Sequence, residues 1–469
     1  MKMNRFVTGL LVLVVSLSVF LTYVLLYGIE NFRAILNQSD QQQTAMINDV
    51  NSPSEFYQST SLTFEDTVKP TDLIVSKDGY IAKTTQQELL DQTLAHLSPT
   101  VLKIEDEKPT EDWDFIASLY QGDFVQFIFA DEYYLGNLTQ LFNMDESLQA
   151  SEYRVDRLII PTGGTHPQGT AYLINSEKDS YFTLRGYDDS DWLGQLQAIQ
   201  PQDEPFIEAV GAWTANRMVY LPAQTLDEKT ETYTLESLPD NLYLSKVFPQ
   251  SDYRLSEFSD GSTIYRAYDL ALTLDNLTQR MELKYSLGSE KSQTRLPHEK
   301  IAYTFDPVAM HEYWPGQLRI SSQSSTIVHY RRYLDGLPIY AAKSIPDYGT
   351  DRIYTRSDDA GGDIARFQIP TLIIRTHIPD LSQPVKLESA QEIDDFLAEH
   401  GFALETFDDV FLAFEWQKEM HDNKSATFVP KWFFEYKGQV YSWDQIENQE
   451  FRQKYDEINQ GRGNQGGDD

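Results

Sequence analysis

The stretch Tyr330-Arg331-Arg332-Tyr333-Leu334-Asp335-Gly336-Leu337-Pro338-Ile339-Tyr340 contains an aromatic strand, a two-residue turn and a second aromatic strand. Asp-Gly between alternating apolar residues is a strong local signal for a β-hairpin, because both turn positions need positive φ. Similar patterns occur at Asp260-Gly261 before Ile264-Tyr265 and at Lys437-Gly438 before Val440-Tyr441. The sequence therefore predicts many antiparallel hairpins. Three short matches fit an internal repeat and unrelated hairpins of a β-rich protein equally well.

Helical signals alternate with these strands. Thr85 and Glu88 have the spacing of a capping box, and Leu89, Leu90, Leu94 and Leu97 follow with helical periodicity. Ser389 and Glu392 form a second capping box, with Gly401 ending that helix. Strands are predicted for the segments 124–130, 157–161, 171–174, 243–248, 262–268, 270–274, 281–285, 410–416 and 427–436. The fold class is therefore α+β, with mixed antiparallel sheets and helices.

The composition excludes several functional classes. The 469 residues carry 38 Lys and Arg against 72 Asp and Glu, a formal net charge of −34, which disfavours nucleic acid and anionic lipid surfaces as partners. The absence of cysteine excludes disulfides, thiolate nucleophiles and Cys-ligated metals. With 28 Tyr and 25 Phe, the chain is a packed protein rich in strand formers.

One segment predicts a membrane anchor. Residues 6–27 contain no charge and would span about 33 Å as a helix, enough for the hydrocarbon core of a bilayer. Lys2 and Arg5 precede this segment and Glu30 follows it, so the positive-inside rule places the amino end in the cytoplasm. The run is too long for a signal peptide and lacks a small-x-small cleavage site. We expect a single-pass protein of the cell membrane, with the bulk of the chain extracytoplasmic.

The anchor also carries candidate partner-binding residues. Gly9, Ser16 and Tyr23 recur every seven residues, and Ser18 and Thr22 have the small-xxx-small spacing that lets transmembrane helices approach closely. In the alternative interpretation, the Ser and Thr hydroxyls only bond back to carbonyls of their own helix.

Composition shifts and turn signals predict the domain organisation. The expected segments are a cytoplasmic start at 1–5, the anchor at 6–27, a juxtamembrane stalk at 28–54, an N-terminal α+β domain at 55–200, a β-rich middle domain at 201–300, a C-terminal α+β domain at 301–455 and a disordered tail at 456–469.

No catalytic or metal-binding signature is present. The eight histidines lack metal-site spacing, and His311-Glu312 fails as a zinc-protease motif because Pro315 occupies the position of the second histidine. Nucleophile elbows, Walker loops and dinucleotide-binding motifs are also missing. We therefore expect a protein that is not an enzyme and needs no cofactor or metal. Trp432 is predicted to lie in the core, with an aromatic anchor in a protein interface as the alternative.

Together with the anchor, the 330–340 stretch and Val429-Pro430-Lys431-Trp432-Phe433-Phe434-Glu435-Tyr436 resemble the YycH family of membrane-anchored extracytoplasmic regulators in Gram-positive bacteria. The resemblance covers essentially the whole chain. It implies three exterior domains, of which the last two are similar to each other and to the companion protein YycI.

The same resemblance implies a function. YycH-like proteins associate with YycI and with the sensor histidine kinase WalK (YycG) of the WalR–WalK (YycF–YycG) cell-wall system, partly through transmembrane contacts. The leading hypothesis is a non-enzymatic modulator of that kinase. Two alternatives are an extracytoplasmic sensor that binds a wall-derived ligand in a cleft between domains, and a PepSY-like inhibitor or chaperone of secreted enzymes.

Overall fold

The computed structural model of the protein describes residues 57–97, 102–139, 141–144, 152–164, 166–186, 191–200, 203–249, 253–286, 295–356, 363–418 and 424–463. The predicted anchor at 6–27 and the whole predicted stalk at 28–54 lie outside these residues. Residues 59–469 form one compact unit.

Ten strands form the first sheet, and all of them pair antiparallel. These strands are β1 Asp72–Lys77, β2 Tyr80–Thr84, β3 Lys103–Ile104, β4 Thr110–Glu111, β5 Phe124–Tyr134, β6 Arg154–Pro161, β7 Thr170–Asn175, β8 Ser180–Arg185, β9 Ile207–Trp213 and β10 Met218–Pro222. Their order is β10-β9-β2-β1-β5-β6-β7-β8-β3, with β4 also paired to β8. The predicted strands at 124–130, 157–161 and 171–174 are thereby confirmed.

The remaining described strands lie further along the chain. They are β11 Leu226–Lys229, β12 Glu231–Ser237, β13 Arg254–Glu257, β14 Ser262–Ala267, β15 Leu270–Asp275, β16 Arg280–Tyr285, β17 Leu318–Gln323, β18 Ile327–Leu334, β19 Leu337–Ala341, β20 Thr350–Thr355, β21 Ile364–Pro370, β22 Leu372–His377, β23 Pro384–Leu387, β24 Asp409–Lys418, β25 Ser425–Tyr436 and β26 Gln439–Ser442.

Fourteen of these strands form the second sheet, in the order β13-β14-β15-β16-β21-β20-β18-β19-β24-β25-β12-β22, with β17 on β18 and β26 on β25. Strands β11 and β23 form a separate ribbon. Among the strand pairs of the described residues, only β19 and β24 run parallel. The fold is therefore mixed α+β with largely antiparallel sheets, as the sequence predicts.

Short helices cover the sheets. They are α1 Phe64–Thr67, α2 Gln87–Leu97, α3 Trp113–Leu119, α4 Leu135–Leu138, α5 Asp191–Gln197, α6 Asp240–Val247, α7 Pro297–Tyr303, α8 Phe305–His311, α9 Ala390–Glu399, α10 Trp443–Glu447 and α11 Glu450–Gly463. Single 3₁₀ turns lie at Pro379–Leu381 and Leu404–Thr406.

The predicted turn chemistry is confirmed at two of the three hairpins. Asp335 and Gly336 both have positive φ, at 47° and 82°, as do Lys437 and Gly438, at 51° and 72°. Positive φ at both central residues matches the twist of the flanking strands. At the third hairpin only Gly261 has positive φ, since Phe258 and Ser262 close a longer turn.

The second predicted capping box is confirmed. Ser389 Oγ accepts from the Glu392 N–H, and Glu392 Oε2 accepts from the Ser389 N–H at 2.7 Å, which satisfies two helix-end donors of α9. Gly401 follows the helix with φ 73°. Helix α2 is also present, although it begins at Gln87, two residues after the predicted cap at Thr85.

Two sequence predictions are wrong. The strand at 243–248 is helix α6, because Pro239 and Asp240 start a helix whose Leu242 and Tyr243 are buried, and the high strand propensity of the aromatics did not decide it. The disordered tail predicted from 456 is helical as far as Gly463. Tyr455, one turn after buried Phe451, and Ile458 within the predicted tail pack against the C-terminal core.

Strands on either side of residues 200 and 300 pair in the same sheets. The domain boundaries predicted near these residues stay predictions. The β9–β10 hairpin completes the first sheet, while β10 residues Val219 and Leu221 join the core formed by α9, β25 and α11. Strands β14 to β16, on the middle segment, belong to the second sheet through β21. The cores of the successive segments are therefore contiguous, and elements near both boundaries are shared.

Candidate functional site

The predicted partner-binding residues Gly9, Ser16, Ser18, Thr22 and Tyr23 lie outside the residues that the structure describes. Within the described ranges no helix has both the length and the apolar character needed to cross a membrane. The described part of the chain also contains no group of three or more His, Asp or Glu side chains arranged to hold a metal ion. The structural features available for function are therefore the 330–340 hairpin and the space around it.

The hairpin is held by a fully buried ion pair. Arg332 Nη2 donates to both carboxylate oxygens of Glu312 at 2.8 and 2.9 Å, and neither side chain is exposed. Glu312 Oε1 also accepts from the N–H groups of Tyr313 and Trp314. The residue that fails as part of a zinc motif is thus the counter-ion of Arg332.

Asp351 lies beside this ion pair and is also fully buried. Burial raises the pKa of Asp351 well above its ordinary range; neighbouring Glu312 raises it further, and Arg332 opposes the shift. Arg332 already pairs with Glu312, so Asp351 is the acid of this cluster that binds a proton more readily than an ordinary carboxyl. The cluster is therefore structural and lies inside the second sheet.

The other arginine of the motif, Arg331, packs within the hairpin and faces the cavity beside it. Arg331 Nη1 donates to the Ile339 carbonyl at 2.7 Å, and its guanidinium lies 3.8 Å from the Tyr340 ring centroid. The Tyr340 ring in turn stacks on Phe433, with centroids 5.1 Å apart. Arg331 and Tyr340 are consequently fixed on one side of the hairpin.

The hairpin tip lies against Thr85, which directly follows strand β2 of the first sheet. A Cβ on Gly336 would lie 2.4 Å from the Thr85 carbonyl oxygen, so only glycine fits there without a shift. Nearby, Tyr133 OH donates to the Ile320 carbonyl at 2.8 Å, and Arg319 donates to the Asp66 carbonyl at 2.8 Å. These contacts hold the first sheet and the second in one compact unit.

A cavity of about 610 Å³ lies between the two sheets beside this contact. Its walls come from β5, β6 and β10 of the first sheet, from the 330–340 hairpin, and from β24 and β25. We call this cavity the cleft. Pockets of about 300–1,000 Å³ are typical of small-molecule sites.

Two ion pairs lie in the walls of the cleft. Lys83 Nζ lies 2.9 Å from Asp72 Oδ1, and Arg217 Nη1 lies 3.3 Å from Asp409 Oδ2, each side chain being about one fifth exposed. The second pair joins the two sheets, because Arg217 precedes β10 and Asp409 begins β24.

Two other cleft carboxylates, Asp131 and Glu435, make no ion pair within 4 Å in the described part of the chain. Burial raises the pKa of Asp131 to about 7. Burial also raises the pKa of Glu435 to about 7, with Asp409 adding to the shift and Arg217 opposing it. Asp131 and Glu435 are therefore cleft carboxyl groups that carry a proton more readily than ordinary acids.

The sequence suggested a cleft between domains only as an alternative and assigned no residue to it. Asp131, Arg217, Asp409 and Glu435 are separated by up to about three hundred residues and share no motif. The one available signal was the pair Arg331-Arg332 inside an aromatic strand, since charged residues are unusual between two buried tyrosines. Trp432 lines the cleft but is only 3% exposed, which agrees with the predicted core position.

Comparison with known proteins then assigns the family. The model of the YycH protein N-terminal domain matches residues 4–185, and that of the YycH protein C-terminal domain matches residues 216–453. The chain belongs to the YycH family. The crystal structure of YycH from Bacillus subtilis has the same fold, with a TM-score of 0.64 at 14% identity over 82% of this chain and 98% of that one. A comparison with curated proteins gives no match.

Membership of the YycH family supports a regulatory rather than catalytic role, in the WalR–WalK two-component system in general. The predicted similarity of the last two domains to YycI stays a prediction.

Proposed function

We propose that this YycH-family chain modulates the sensor histidine kinase WalK together with a YycI-like companion, without catalysis of its own. The family match over both halves of the chain carries this proposal. The predicted topology supports it, because a single anchor would place the large folded part outside the membrane and bring residues 6–27 beside the kinase helices.

A modulator needs only to bind one signalling state of the kinase better than the other. A preference of about 1.4 kcal/mol shifts that equilibrium about tenfold. Packing of small residues between transmembrane helices supplies energies of this order. The stripe Gly9, Ser16 and Tyr23 is therefore the proposed contact within the membrane.

The test replaces residues 6–27 with an unrelated hydrophobic helix and measures a reporter of the kinase pathway. The reporter should change in either direction, while unchanged output would refute the transmembrane mechanism. Gly9→Leu with Ser16→Leu should weaken crosslinking to the kinase. Val14→Leu, on the opposite helix face, is the matched control and should have no effect.

A second candidate function is favoured by the cleft. A cavity of about 610 Å³ between two sheets has the size and position of a small-molecule site. In this alternative, the exterior part senses a ligand and passes its occupancy to the partners. The two proposals are compatible, since a ligand that prefers one arrangement of the exterior would bias the same equilibrium.

A further inference from the structure

The cleft walls contain buried hydrogen-bond donors without a partner. Arg157 and Trp432 are 1% and 3% exposed, and Arg331 is 9% exposed. Within the described residues, Arg157 Nη1, Arg331 Nε and Trp432 Nε1 have no hydrogen-bond acceptor. All three side chains line the cleft. Because leaving a buried donor unpaired costs about 1–3 kcal/mol, a ligand that supplies acceptors to this wall gains from pairing these N–H groups.

Acceptors in the same cleft are also unsatisfied. Asp131 Oδ2 is buried without a hydrogen-bond partner within the described residues, Glu435 on β25 lines the same cavity without an ion pair there, and Arg217 interacts electrostatically with both carboxyls. Asp131 comes from the first sheet and Glu435 from the second, so the two acids belong to different walls of the cleft. Burial raises the pKa of both acids more than Arg217 lowers it, so a further cation placed between the walls would stabilise their charged forms.

Unpaired donors and unpaired carboxyls in one cavity define the complementary ligand. Its cationic donor group would neutralise Asp131 and Glu435, and its acceptor groups would meet the arginine and indole N–H groups. A neutral sugar would satisfy hydrogen bonds but leave both acids without a counter-ion. A lone amine would leave the donors unpaired.

We infer that the cleft binds a short peptide with free amino and carboxyl termini. The ammonium is held by Asp131 and Glu435, and the carboxylate and backbone carbonyls accept from the arginine and indole donors of the walls. A volume of about 610 Å³ accommodates two to four residues. This inference deepens the ligand-sensing candidate function, although peptide binding itself requires neither the kinase nor the companion protein.

Binding is tested on the purified full chain in mild detergent by titration calorimetry at pH 7. The probes are Ala-Ala-Ala, Ala-Lys-Ala, Ala-Glu-Ala and Ala-Phe-Ala, each compared with its N-acetylated and its C-amidated form. At least one free peptide should bind, and each capped form should bind at least tenfold more weakly. No binding by any free peptide at millimolar concentration, or equal binding of the capped forms, overturns the inference.

Variants locate the site. Asp131→Asn and Glu435→Gln remove the charge with little change in shape and should weaken the binding of the best peptide at least tenfold. Asp240→Asn is the matched control: burial raises the pKa of Asp240 as well, but this residue lies on α6 outside the cleft. Equal affinity in the cleft variants and the control overturns the assignment.

A reporter of the kinase pathway separates this inference from the sensing function. If Asp131→Asn abolishes peptide binding and leaves the reporter unchanged, the peptide site stands and ligand sensing fails. If no free peptide binds while replacement of residues 6–27 changes the reporter, the peptide site fails and the modulator proposal stands.

Discussion

Replacement of Arg332 by Met tests how much the buried ion pair with Glu312 contributes to the free energy of unfolding. The Arg332 guanidinium is fully buried and donates to both Glu312 oxygens and to the carbonyls of Tyr348, Leu372 and Pro370 at 2.8 to 3.1 Å. Met has a similar length but cannot donate. The variant therefore leaves a buried carboxylate without its counter-ion and three carbonyls without a donor.

The expected loss of unfolding free energy is about 3–5 kcal/mol, the cost of breaking a buried ion pair by removing one partner. The Glu312 environment supports the upper part of this range, since Asp351 lies beside it and Arg332 is the cation they share. By contrast, the surface pair Lys454 and Glu457 has side chains that are 57% and 64% exposed. Lys454→Met should therefore leave the stability nearly unchanged.

The assay is urea unfolding followed by tryptophan fluorescence, with Trp314 lying 4.9 Å from the Arg332 guanidinium. A double variant of Arg332→Met with Glu312→Gln keeps an acceptor for the Tyr313 and Trp314 N–H groups but removes the buried charge. The double variant should lose at least about 1 kcal/mol less unfolding free energy than the summed losses of the Arg332→Met and Glu312→Gln single variants. A loss below about 1 kcal/mol for Arg332→Met, or strictly additive variants, would refute the buried ion-pair reasoning.

Three other predictions follow from particular residues. Gly336→Ala should cost more than Gly79→Ala by at least about 1 kcal/mol in urea unfolding: both residues have positive φ, at 82° and 84°, but only Gly336 lies against Thr85. Ser389→Ala should lower the unfolding free energy by about 1 kcal/mol through loss of the α9 cap, and no loss would contradict the capping assignment. Because Asp131 has a folded pKa of about 7 against 3.8 ordinarily, the folded state binds its proton more tightly, and its contribution to stability falls from pH 4 to pH 7. Asp131→Asn should therefore show a smaller fall in unfolding free energy over that range, and parallel pH curves would contradict the assigned shift.

Local signals predicted most of the elements correctly. Asp335-Gly336 and Lys437-Gly438 produced the expected turns because positive φ depends on the turn residues themselves. Ser389 and Glu392 produced the expected helix start for the same local reason. Prediction failed at 243–248, where burial of one helical face overrode the strand propensity of Tyr and Phe, and at 456–463, where packing on Phe451 extended a polar helix.

The sequence by itself determined the hairpin-rich α+β class, the predicted anchor and the family, since each depends on neighbouring residues or on a pattern along the chain. Only the tertiary structure decided that Arg332 pairs with Glu312 inside the sheet while adjacent Arg331 lines the cleft. Consecutive strand residues face opposite sides of a sheet, but which side is core depends on the elements packed there. The cleft likewise exists because Asp131, Arg217 and Glu435, distant along the chain, are brought together where the two sheets meet.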